Sequence, residues 1–183
     1  MRFDDMARQV VVADPALAEA LGPLVDARGH LYRAFLDIDR RVRALAHKDP
    51  ICQLLMSAPG IGFVAALTFK AAVDDPKRFR RSRTVAAHFG LTPRRHQSGE
   101  RDNPGHISKA GDAEVRSALF LAANTILNGR GQTSSLRRFG ARLARKKGRK
   151  RALVAVARKL AVVLHAMWTD GTMFCSVEKE VLA

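Results

Sequence analysis

The chain has 183 residues, of which 47% are hydrophobic and 6% aromatic, and it carries a formal charge of +15. That length can bury a core without disulfides or metals, and Cys52 and Cys175, in no Cys-x-x-Cys pair, argue against a cross-linked secreted scaffold. An excess of 32 Lys and Arg over 17 Asp and Glu repels itself in a compact state and calls for a polyanion, nucleic acid first and an anionic membrane surface second.

Alanine, leucine, valine and arginine dominate, which favours an all-α, compact helical domain. In chain order, residues 1–13 read as a frayed start without the apolar core of a signal peptide. Asp14-Pro15 signals a helix start, and Gly22-Pro23 is expected to break or kink that helix. From there Leu24, Leu31, Ile38 and Leu45 repeat every seven residues, with Arg28, Phe35 and Val42 on the second seam position. Two readings fit this pattern: a coiled coil through which the chain forms a homo-oligomer over residues 17–45, or an amphipathic helix packed on its own domain.

Residues 50–74 read as a short apolar helix, then Pro59-Gly60-Ile61-Gly62, then a second helix. This string resembles the helix-hairpin-helix element of DNA-binding proteins. Gly60 and Gly62 would leave backbone N–H groups open at a helix N-terminus, where a phosphate can sit. A tight turn between two packed helices is the plainer reading.

Residues 77–101 form a first basic block, with Arg80, Arg81, Arg83, Arg94 and Arg95 among its cations. A short helix is expected from Ser82 through His88 and is ended by Gly90. Asp74 and Asp75, adjacent in sequence, suit a helix start or turn better than a metal pair. Arg94 to Gly111 reads as a long, glycine-rich loop of functional character. Asp112 is placed as the N-cap of a helix from Ala113 to Asn128 whose stripe Val115, Leu119, Ala122 and Ile126 faces the core.

A second basic block spans residues 137–151 and contains Arg142, Arg145, Lys146, Lys147, Arg149 and Lys150. The last helix is expected from about Lys150 to Asp170, stopped by Gly171. Its apolar stretch, Ala152 to Trp168, contains Arg158 and Lys159, which are costly at a bilayer centre. A buried helix is therefore expected, with no membrane span. The histidines show no ligand spacing, so no metal site is expected. The domain reading is 1–49 as tail and amphipathic segment, 50–175 as the main domain, and 176–183 as a tail.

Gln97-Ser98-Gly99, then Gly105-His106-Ile107-Ser108-Lys109-Ala110-Gly111-Asp112, then Arg116, together with Pro59-Gly60-Ile61-Gly62, carry a resemblance to one family. It is the insertion-sequence transposases of the 110/116/902 group, and the resemblance covers roughly residues 50–170, the C-terminal domain of such proteins. It implies DNA as substrate, a bridge RNA that guides target choice, action in the cytoplasm at the nucleoid, and a serine nucleophile that maps onto Ser108. His106, Lys109 and Arg116 stand close enough in sequence to assist by taking a proton or stabilising developing phosphorane charge. An ordinary capping serine is the plainer reading of Ser108, and Ser98 is the rival nucleophile.

Such transposases also carry an N-terminal RuvC-like nuclease domain that binds magnesium, and residues 1–49 resemble nothing of that kind. No cofactor is expected in this chain, and Mg²⁺ only in a RuvC-like partner domain. The expectation is a fragment, a truncated product, or a chain completed by another polypeptide. The alternative function is a non-catalytic, truncated DNA- or RNA-binding module.

Overall fold

The computed structural model describes residues 3–98, 101–129 and 134–175, with the side chains of Asp4, 95–98 and 101–104 outside the description. The chain forms two compact units, residues 1–44 and residues 45–183.

The first unit contains α1 (Phe3–Ala13) and most of α2 (Pro15–Lys48). The expected frayed start is instead helical from Phe3. The reason lies in three ties: Arg8 pairs with Asp26 at 2.9 Å, the Arg28 guanidinium stacks over the Phe3 ring at 4.5 Å, and Val11 is buried. Asp14 caps α2 by accepting from the Ala16 amide at 2.9 Å, with Pro15 in the first turn. The break expected at Gly22-Pro23 does not occur, and the helix runs through Pro23. A proline inside a helix removes one backbone donor, and the long helix absorbs that local loss.

The second unit is built around α8 (Arg149–Asp170). Leu153, Val156, Ala157, Leu160, Ala161, Leu164 and Met167 of α8 are buried against the other helices. By length and composition α8 could cross a membrane; here it is a core helix, with half of its apolar window buried. Around it lie α3 (Pro50–Met56), α5 (Ser82–His88), α6 (Ala113–Asn128) and α7 (Ser135–Lys147), and α4 (Phe63–Val73) packs on α3 and α6. Val115, Leu119, Ala122 and Ile126 are buried along α6 as their spacing predicts.

The expected loop from Arg94 to Gly111 is largely a β-hairpin, β1 (Pro93–Ser98) paired antiparallel with β2 (Arg101–Ile107). Strand pairing satisfies the backbone of a polar stretch whose side chains give no apolar alternation. Among the described residues the fold is therefore all-α with one small two-stranded sheet, which lies between α5 and α6 in chain order.

Candidate nucleic-acid interface and serine turn

Ser108 leaves β2 and leads into Asp112, the N-cap of α6, whose carboxylate accepts from the Glu114 amide at 2.7 Å and the Val115 amide at 3.1 Å. The turn between them is locked by backbone contacts. The Ser108 amide donates to the Thr92 carbonyl at 2.9 Å, and the Lys109 amide to the Gly90 carbonyl at 3.1 Å. Lys109 sits at φ 55°, a left-handed conformation that a lysine holds only when its surroundings fix it.

Two glycines make that fixation possible. A Cβ on Gly90 would come within 2.2 Å of the Ala110 carbonyl oxygen, and one on Gly111 within 2.1 Å of the His88 carbonyl oxygen. The end of α5 and the serine turn thus press backbone to backbone. The Arg116 guanidinium closes the arrangement by donating to the carbonyls of Phe89, Ala110, Gly111 and Asp112, at 2.9 to 3.3 Å. Arg116 therefore braces the turn through its backbone. Arg94 donates to the Ser108 carbonyl at 3.1 Å from the other side. Among the described residues the Ser108 hydroxyl has no hydrogen-bond partner, and exposed His106 and Lys109 point to no fixed acceptor. Ser98 pairs with Arg101 in the strand register; the side chains of Ser98 and Arg95 lie outside the described residues, as do Gly99 and Arg130.

The start of the first basic block, Lys77 to Arg83, sits where a 3₁₀ turn, Pro76–Arg78, meets α5. Asp74 and Asp75 there are caps: Asp74 ends α4, and Asp75 accepts from the Lys77 amide at 2.9 Å. His165, which sequence reasoning passed over, is the brace. It is a buried polar residue of α8 whose Nε2 is 2.9 Å from the Pro76 carbonyl and whose Nδ1 is 3.0 Å from the Ser82 hydroxyl. A carbonyl can only accept, so Nε2 carries the proton and Nδ1 accepts from Ser82. Arg80, Arg81 and Arg83 are exposed around that pinned serine. Only buried position, not spacing, reveals His165.

Between α3 and α4, Gly60 takes φ 77°, and a Cβ there would lie 2.6 Å from the Ala122 carbonyl oxygen. Close packing on α6 thus explains Gly60. Gly62, the N-cap of α4, has no heavy atom within 4 Å of a Cβ position and is exposed. Asp49 caps α3 through the Ile51 and Cys52 amides and pairs with Lys70 of α4. The hydrogen bond from Lys70, then those from the backbone, hold the Asp49 carboxyl below the ordinary aspartate range. Burial pushes the Cys52 thiol up, which suits an inert packing residue.

The second basic block does not adjoin the serine turn. Arg149 of this block donates to Asn124 Oδ1 at 2.8 Å and Asn128 Oδ1 at 2.6 Å, at the C-terminal end of α6. Ser108 leads into the opposite end. The expected arrangement, with one basic block on either side of the serine, is replaced by one block near the turn and one a helix length away.

Charge divides equally sharply between the units. Seven of the 32 Lys and Arg and seven of the 17 Asp and Glu lie in residues 1–44, which leaves 25 and ten, the full +15, in residues 45–183.

The fold and this charge define a basic, helix-built domain with a clamped serine turn. Residues 52–139 match the Transposase IS116/IS110/IS902 family. The transposase for insertion sequence element IS1111A of Coxiella burnetii is 32% identical over 165 residues, 90% of this chain and 45% of that protein. The putative transposase y4pF/y4sB of Sinorhizobium fredii is 31% identical over 92% of this chain and 45% of its own length. The pilin gene-inverting protein of Moraxella bovis is 33% identical over 66% of this chain and 38% of that protein. Over these stretches the chain is similar to insertion-sequence transposases. The chain spans about half the length of the first two of these curated relatives.

Proposed function

We propose that this chain is the DNA-gripping, serine-bearing domain of an insertion-sequence transposase. The observation that carries the reading is the Ser108 turn: a hydroxyl without a partner, on a backbone fixed by Gly90, Gly111 and Arg116, beside the exposed Arg94. Preorganised backbone of this kind lowers the entropic cost of aligning a nucleophile. The Ser108 Oγ gives up its proton and attacks a backbone phosphorus, one P–O bond to the sugar breaks, and the leaving sugar oxygen takes a proton to become a hydroxyl. The phosphoserine ester conserves the energy of the phosphodiester, so the reverse attack by another strand's hydroxyl completes an exchange. His106 and Lys109, close to Ser108 in sequence, are the candidates to move that proton or offset charge. Ser98 remains the rival nucleophile.

The relatives include proteins named as transposases and two named as pilin gene-inverting proteins. DNA contact is assigned to Gly62 at the α4 N-terminus, in the manner of a helix-hairpin-helix, and to Arg80, Arg81, Arg83 and Arg94. A bridge RNA and a magnesium-dependent RuvC-like partner follow from the family resemblance. Self-association through residues 17–45 is supported by the seam residues Leu24, Leu31, Phe35 and Ile38, which are 66%, 72%, 59% and 60% exposed.

The test is to trap a covalent protein–DNA adduct on a suicide substrate in the full recombination assembly and map it by mass spectrometry. The adduct is expected on Ser108 and lost in Ser108→Ala with DNA affinity retained. An adduct on Ser98 would move the nucleophile. A complete assembly that recombines DNA without any serine adduct would leave only the binding-module reading.

A further inference from the structure

From Val115 to Thr169 the sequence holds no Asp or Glu. Within that stretch α7 ends and α8 begins at Gly148, which turns the chain at φ 83°. Arg142, Arg145, Lys146, Lys147, Lys150 and Arg151 are all exposed around this corner, and among the described residues none has a hydrogen-bond or ion-pair partner. Unpaired cations held close together raise each other's cost until an anion neutralises them.

The corner is fixed in place. Leu136 and Gly140 of α7 are buried, and a Cβ on Gly140 would come within 2.5 Å of Leu127 of α6 and 2.7 Å of Val156 of α8. Lys159 of α8 lies over the Phe139 ring at 4.9 Å. Arg149 ties the start of α8 to Asn124 and Asn128. The cations therefore ride on a rigid hairpin seated at the C-terminal end of α6.

We infer that the α7–α8 corner is a second grip on the DNA duplex, separate from the serine turn, with α6 as the spacer between the two. The inference rests on the proposed DNA-handling function and adds a distance to it. α6 has 16 residues, so its two ends are about 24 Å apart. At 3.4 Å per base pair that corresponds to about seven base pairs of duplex. A duplex phosphate backbone is the partner because the corner offers point charges at fixed spacing and no aromatic platform for unstacked bases. The near end, with Arg80, Arg81, Arg83 and Arg94, engages the phosphate presented to Ser108. The far end holds the same duplex about seven base pairs on and resists its rotation out of the turn.

The experiment measures binding of the whole chain to random-sequence DNA duplexes of about 6 to about 16 base pairs across a salt series. Wild type gains affinity steeply once a duplex spans both ends. Arg142→Ala/Arg145→Ala/Lys146→Ala loses that gain, binds short duplexes as wild type does, and has a salt slope lower by about three contacts, which corresponds to a loss of about tenfold or more on long duplexes. Arg142→Lys/Arg145→Lys keeps the slope, which separates lost charge from lost fold. Arg80→Ala/Arg81→Ala/Arg83→Ala lowers affinity for short and long duplexes alike. If the corner triple variant keeps the wild-type slope and length dependence while the Arg80 series does not, the second grip is overturned and the DNA reading stands. If neither variant changes the slope, the DNA reading fails with it. Displacement of DNA from the corner by structured RNA at lower concentration than by duplex DNA would also overturn the assignment.

Discussion

Residues 1–44 hold as many carboxylates as Lys and Arg, whereas residues 45–183 hold 25 cations against ten carboxylates. The first unit satisfies its charge internally, through Arg8–Asp26, Arg41–Asp37 and Arg43–Asp39. It leaves its leucines and phenylalanines exposed instead. The second unit does the reverse, burying its apolar stripes around α8 and leaving Arg142, Arg145, Lys146, Lys147, Lys150 and Arg151 exposed without a partner among the described residues. One unit is thus built to meet an apolar surface, and the other to meet a polyanion.

The comparison breaks most readily at glycine. Gly111→Ala should destabilise the second unit by about 3 kcal/mol, because a Cβ meets the His88 carbonyl and the φ of 82° is strained for alanine. Gly22→Ala in α2 meets nothing within 4 Å and should stabilise its helix by up to about 1 kcal/mol. Chemical denaturation of both variants measures the contrast; equal effects would mean the serine turn is not over-determined.

A smaller effect tests the brace behind the first basic block. His165→Ala should cost about 2 kcal/mol, since it orphans the Pro76 carbonyl and the Ser82 hydroxyl in a buried site. His165→Asn keeps a donor and an acceptor and should recover part of the loss in a thermal melt. A surface histidine would show neither.

Asp49 gives a pH-dependent contribution of still smaller size. Its folded carboxyl lies below the ordinary range because of Lys70 and the α3 amides, so the unfolded chain binds the proton more readily. The contribution is fully present above about pH 4 and is lost as pH falls through the lowered folded value. Asp49→Ala should therefore differ from wild type by about 1 kcal/mol at neutral pH, and the two should converge in acid. A gap that widens in acid would reverse the assignment.

The smallest expected effect sharpens the charge contrast. Arg40→Ala/Arg41→Ala/Arg43→Ala removes three cations from the balanced unit and should change DNA affinity by less than about twofold, with a nearly unchanged salt slope. A loss comparable to that of the α7–α8 corner would show that net charge, and not its placement, governs binding.

Periodicity and capping made much of the helical frame legible. Asp112, the stripe from Val115 to Ile126, and Gly171 at φ 65° behind α8 mark their elements by local chemistry that needs no distant partner. The start of α1 was not legible, because Arg8, Arg28 and Val11 act across the pair of helices, and neither was the passage of α2 through Pro23. The hairpin at Pro93–Ile107 was hidden by its polar side chains, since backbone pairing alone builds it.

At the candidate site, the sequence by itself determined the basic excess, the order of its blocks and the Ser108–Asp112 motif, because charge and spacing are carried by the residues in order. Only the tertiary structure decided that Arg116 braces backbone, that Gly60 packs on α6, that His165 pins Ser82, and that the two basic blocks stand at opposite ends of α6. Each of those depends on a contact between residues far apart in the chain, where close packing allows one arrangement and local propensity is silent.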